Sequence, residues 1–143
     1  MYLSEHFTLA EMVVSETAAR RGIDNTPTPS IMANLRRLCA FLEQVRLLHG
    51  KPVLVSSAYR NVELNTALGG STSSAHTRGL AADINVPGVT PAALAQCMAD
   101  SPLMFDQVIL EFDQWVHIGL ADGQQRRQLL TIRRGTGYLP GLV

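Results

Sequence analysis

Three residues have the types and spacing to do chemistry together: His76, Asp83 and His117. Two imidazoles and one carboxylate suit a zinc ion, and a catalytic zinc site wants three protein ligands with a fourth position open for water. The chemistry expected of such a site is hydrolysis of an amide bond. His76 follows a Ser/Gly loop and has an aspartate seven positions later. His117 lies inside an apolar strand, where an imidazole without a partner is costly. The other histidines have plainer settings. His6 precedes a helix cap, and His49 falls at a helix C-terminus, where an imidazolium is favoured.

The rest of the chain must position these groups. Thr8-Leu9-Ala10-Glu11 is a capping box, which predicts a short helix to about Arg20, with Gly22 placed to stop it. Asp24 to Pro29 is a turn-forming linker. Ile31, Leu35, Leu38, Leu42 and Val45 recur at helical steps and predict a long scaffold helix, ended by Gly50 and Pro52. A strand over Val53 to Ser57 runs into Ala58-Tyr59-Arg60-Asn61, and a short helix over Val62 to Leu68 leads into the loop Gly69 to Ser74.

A strand is expected over Ala82 to Val86. Alternation puts Ala81, Asp83 and Asn85 on a cleft face and Ala82, Ile84 and Val86 on the core face. Gly79 and the small Ala81 and Ala82 let the chain fold back and bring His76 beside Asp83. Pro91 starts another helix, to about Asp100. Asp106 to Phe112 and Trp115 to Leu120 read as a hairpin, and Leu129 to Arg133 as a last strand. The sum is an α+β fold: a small, mainly antiparallel sheet with helices packed on one side.

A chain of 143 residues predicts a single domain over 1–143, with the motif region at 52–120 and a helical N-terminal part at 8–50. Its 12 basic and 12 acidic residues cancel, which argues against nucleic acid or an anionic membrane as partner. Arg126-Arg127 and Arg133-Arg134 read as solvated surface. Cys39 falls in the helical pattern as a small hydrophobe, and nothing in its spacing to Cys97 signals a disulfide. The first residues lack the features of a signal peptide, so the expectation is a monomer kept in the cytoplasm until another factor releases it.

The pattern Ser74-x-His76-x-x-Gly79-x-Ala81-x-Asp83, followed by Trp115-Val116-His117, resembles the zinc D-Ala-D-Ala carboxypeptidases and dipeptidases. Phage endolysins that cut peptidoglycan stem peptides and the zinc domain of Hedgehog proteins share their fold. Ser57-Ala58-Tyr59-Arg60 is similar to the segment that family uses to meet substrate, and Phe105-Asp106-Gln107-Val108-Ile109 to the strand before its last ligand. The resemblance covers roughly Pro52 to Gly119. It implies zinc held by His76, Asp83 and His117, a Hedgehog/DD-peptidase-like fold, and a peptidoglycan stem peptide as partner. It also implies that Arg60 anchors a peptide carboxylate or polarises the scissile carbonyl.

A zinc hydrolase needs a base, and in the best-known relatives an acid stands three residues before the last His. Here that residue is Gln114, which carries no titrating proton. Glu111 and Asp113 are the alternatives. A three-residue loop at Asp113-Gln114-Trp115 would set Glu111 directly opposite His117, whereas a two-residue turn at Asp113-Gln114 would oppose His117 with Leu110 and turn Glu111 away. The first arrangement is favoured, with Glu111 as catalytic residue. Ser74 can meet the substrate backbone, cap its loop, or do both, and Trp115 either walls the cleft or packs in the core.

The expected function is a zinc metallopeptidase of peptidoglycan stem peptides, as a D,D-carboxypeptidase or an endolysin-type endopeptidase. The competing expectation, which Gln114 favours, is a non-catalytic zinc-binding interaction domain.

Overall fold

The computed structural model describes residues 1–143. Thr8 opens α1 (Leu9–Val13) as a capping box requires: Glu11 N–H donates to Thr8 Oγ1, and Thr8 N–H donates to the Glu11 carboxylate. The expected single helix to Arg20 is broken in two. Val14 is extended, and Ser15 caps α2 (Glu16–Arg21) by accepting from Ala18 N–H. The break has a physical reason. The carbonyls of Met12 and Val13 are spent on Tyr59 N–H and on the Asn25 side chain, not on a continuing helix.

The scaffold helix is α3 (Pro29–His49), longer at both ends than its apolar stripe, with Gly50 in the left-handed conformation closing it. It buries Leu35, Leu38, Cys39, Leu42 and Val45 fully. Truncating one such leucine to alanine would cost about 2–5 kcal/mol. The remaining elements are β1 (Leu54–Ser57), α4 (Val62–Ala67), β2 (Ala81–Asn85), α5 (Pro91–Asp100), β3 (Gln107–Glu111), β4 (Trp115–Gly119), β5 (Gln128–Arg133) and β6 (Gly137–Pro140).

The strands form one mixed six-stranded sheet in the order β1-β2-β4-β3-β5-β6. Only the β3–β5 pair is parallel. Ala82, Ile84, Val108, Leu110, Val116 and Ile118 join one core with the apolar faces of α3 and α5. The opposite face of β2, β3 and β4 carries Asp83, Ile109, Glu111 and His117. Alternation in β2 thus works as the sequence suggests.

The arginine pairs lie at the surface as expected, with Arg134 exposed, but the other three have partners. Arg126 forks onto Asp106, and Arg133 onto Asp113. Arg127 stacks on Phe105 at 4.7 Å and donates to the carbonyls of Leu103 and Ser101, past the end of α5. Both cysteines are free, Cys39 in the core, where burial pushes its thiol up to about 12. No helix is long and apolar enough to cross a membrane.

Candidate metal centre

Asp83 and His117 are direct neighbours across the β2–β4 ladder. Residues so opposed share a face with Cβ atoms about 5 Å apart. His117 Nδ1 lies 3.2 Å from Asp83 Oδ1. His76 comes from the short 3-10 turn Ala75–Arg78, which Ser74 caps by accepting His76 N–H at 3.2 Å. Gly79 closes that turn in the left-handed conformation, and a Cβ there would press on Ile31 and Leu35 of α3 at 3.1–3.2 Å. Only glycine lets the turn sit so close to the scaffold helix. The fold-back carries His76 Nε2 to 3.4 Å from Asp83 Oδ1.

These three groups fit a zinc ion. Their ligand atoms all lie within 4.8 Å of one another. Four ligands at 2.0–2.1 Å in a tetrahedron stand about 3.3 Å apart, close to the two edges through Asp83. The tautomer of His76 is also fixed. Its Nδ1–H donates to the Ala58 carbonyl at 2.6 Å, which leaves the Nε2 lone pair directed at Asp83. Burial lowers the His76 pKa, which Asp83 partly offsets and which His117 and Arg60 reinforce, so the neutral ligating form is favoured. Burial alone would raise Asp83, but the adjoining imidazoles, His117 first, outweigh it and hold its carboxyl well below the ordinary range. His6 bonds Glu43 and lies apart. His49 also stays outside, and burial with Lys51 lowers its pKa, so the expected imidazolium is disfavoured there.

The hairpin differs in register from expectation. The unpaired residues are Phe112, Asp113 and Gln114, so Glu111 opposes Trp115 and His117 opposes Ile109. Phe112 and Asp113 both take left-handed backbone angles, and Gln114 N–H closes the turn onto the Glu111 carbonyl. The shift from the expected pairing is two residues, so Glu111 keeps the metal face without standing directly across from His117. Its Oε2 lies 3.9 Å from His117 Nδ1. Burial raises its carboxyl above the ordinary value; His117 and Arg60 pull it back, and Asp83 pushes it further. Asp113 points elsewhere, to Arg133, and Gln114 is exposed at the turn.

His76, Asp83, Glu111 and His117 open on a cleft of about 640 Å³. Arg60, Ser74 and Trp115 border it, so the structure sets Trp115 at the cleft wall and not in the core. Ser74 Oγ accepts in its turn and keeps its own hydroxyl proton free. Sequence reasoning missed Asn25. This buried amide donates to the carbonyls of Val13 and Tyr59 and accepts from Asn61 N–H. It grips both sides of Arg60, whose own N–H donates to the His76 carbonyl. Its only sequence signal was its place in a turn-rich linker.

Comparison with curated proteins returns no match. Residues 5–119 match the family described as Peptidase M15, so the likeness begins well before Pro52. Peptidases of this family depend on zinc, and the expectation of a non-catalytic binding module loses its ground. With most of its length matched and a His-Asp-His triangle ready for the metal, the chain belongs to the peptidase M15 family and is a zinc-dependent peptidase.

Proposed function

We propose that the protein hydrolyses amide bonds in peptidoglycan stem peptides, on a Hedgehog/DD-peptidase-like fold whose single domain is residues 1–143. The observation that carries the reading is the placement of Glu111 beside the His76–Asp83–His117 triangle, on one sheet face and inside one cleft.

His76, Asp83 and His117 would hold the zinc. Bound zinc supplies an acidified water and a Lewis acid for the scissile carbonyl. Glu111 takes the proton from the attacking water and returns it to the leaving amine, a task that suits a carboxylate raised by burial. Arg60 brings a guanidinium into the cleft, where its fork can hold a peptide carboxylate or the oxygen of the scissile carbonyl. Ser74 offers its free hydroxyl proton to the substrate backbone. The cleft extends to both sides of the triangle, toward Ser71 and Ser73 on one side and toward Leu130 and Tyr138 on the other. That favours endopeptidase cleavage within a stem over D,D-carboxypeptidase removal of a terminal residue. The protein would reach its substrate on release from the cytoplasm.

Digestion of purified muropeptides, read by mass, tests this function. Loss of internal stem bonds is expected. Loss of one terminal alanine alone would make the protein a carboxypeptidase, and intact muropeptides would overturn the substrate assignment.

A further inference from the structure

The cleft reaches beyond the family match. Arg126, Gln128, Leu130 and Tyr138 border it, and all four follow residue 119, where the match ends. The ladder explains how they get there, because residues paired across neighbouring strands share a face. Ile109 opposes His117 on one side and Leu130 on the other, which puts Leu130 on the metal face. Glu111 opposes Ile132, and Ile132 opposes Tyr138, which puts Tyr138 on the face of Glu111. Each lies two strands from its counterpart, about 10 Å at the backbone.

A tyrosine side chain can reach back across much of that gap. Burial and then the Glu111 and Asp83 carboxylates raise the Tyr138 hydroxyl, so the phenol lies within their field. Tyr138 is 60% exposed on an edge strand, where sheets commonly place charged residues. A large aromatic turned onto the cleft face serves no core. The two ends of the cleft also come from the two edges of the sheet. Arg60 follows β1, Tyr138 sits on β6, and the metal triangle lies between them.

We propose that Leu130 and Tyr138 form a substrate subsite at the β6 end of the cleft, which takes an aliphatic side chain from the peptide residue lying across the metal triangle from Arg60. This rests on the peptidase function proposed above and specifies which side chain that site accepts. Ile109 and Leu130 give the subsite an apolar floor. A charged side chain laid on this apolar floor would lose water, and an anionic one would also meet the like charge of Glu111. Asp106 and Arg126, at the border, already satisfy each other through two bonds of 2.8 and 2.9 Å. The Tyr138 hydroxyl is left to bond the peptide backbone, and Leu130 to contact the side chain.

The test is calorimetric titration of the zinc-loaded Glu111→Gln protein, in which peptide is expected to bind with cutting slowed about a hundredfold or more. The probes are a synthetic stem peptide and versions in which each alanine in turn is replaced by lysine or aspartate. Tyr138→Phe, added to that background, is expected to weaken binding about threefold to tenfold with zinc content and thermal midpoint unchanged. One alanine position should reject both charged replacements, and Leu130→Asn should reduce that rejection. Equal affinities with and without Tyr138→Phe would overturn the subsite, and so would failure of every form to bind. Binding that depends on Tyr138, to a peptide that the protein with Glu111 restored leaves uncut, would uphold the subsite and overturn the stem-peptide function.

Discussion

Glu111 and His117 stand two residues out of register on one face of the β3–β4 pair, with Glu111 Oε2 3.9 Å from His117 Nδ1. The carboxylate is therefore beside the ligand set and not a member of it. Glu111→Gln should lower turnover about a hundredfold to ten-thousandfold while zinc content, read by elemental mass spectrometry, stays at wild type. Asp113→Asn should leave turnover unchanged, because Asp113 is committed to Arg133. The reverse pattern would take the base role from Glu111. The pH profile carries the same signature. The base must be ionised, and burial raises its pKa, so activity should fall on the acid side at a higher pH than an ordinary glutamate near about 4.3 would set.

The metal triangle makes a separate prediction. His76→Ala and His117→Ala should each abolish stoichiometric zinc after dialysis. Ligating imidazoles must be neutral, so wild-type protein should release zinc as pH falls through the imidazole range, about 6.5 and below. Full metal content in either variant would remove that residue from the ligand set.

Arg60 and Asn25 should fail in related ways. Arg60→Lys keeps the charge and loses the fork, so turnover should fall with zinc bound and the fold intact. Asn25→Ala removes three hydrogen bonds from a buried position and strands their partners. A loss of about 2–4 kcal/mol is expected in urea denaturation. Turnover under folding conditions should also drop, because the backbone on both sides of Arg60 is released. Undiminished turnover in Asn25→Ala would separate the clamp from the chemistry.

Glu43 predicts the acid stability of the N-terminal segment. Burial pushes its carboxyl up, but bonds from Ser4 Oγ, His6 N–H and the His6 ring outweigh that and hold it below the ordinary range. A depressed carboxylate stabilises the fold above its unfolded pKa and loses that contribution as pH falls through its folded value. Wild type and Glu43→Gln should therefore differ in urea midpoint at neutral pH and converge in acid. A difference that persists at the lowest pH would mean that the carboxylate's charge is not what those bonds use.

The metal triangle was legible because strand alternation and ligand chemistry pointed the same way. Asp83 shares its face with Ala81 and Asn85, and it is the only acid on either strand of the β2–β4 pair. The hairpin register was not legible. Phe112 adopts left-handed backbone, which an aromatic residue does not announce, so the loop begins one residue earlier than expected. Asn25 was hidden for another reason. Its partners at Tyr59 and Asn61 lie 34 and 36 residues away, and a turn-rich linker gives no local sign of them. The split of α1 from α2 has the same origin, since the carbonyls that would continue the helix serve Tyr59 and Asn25. Strand β6 sits among glycines, and its pairing with β5 comes from the sheet, not from its own composition.

Val116 and His117 are consecutive, yet one belongs to the core and the other to the cleft, and the same holds for Ile84 and Asp83. One residue gained or lost inside β2 or β4 would trade the two sides, sending an imidazole or a carboxylate into hydrocarbon and a valine or isoleucine to the metal. The reading frame of these strands is thus frozen in a way that the identities of many residues are not. The loop over Gly69 to Ser73 carries no such penalty, because it holds no ligand and belongs to no strand. Lineages descended from this sequence should vary in length there, changing which peptides are accepted while the frame of the ligand strands stays constant.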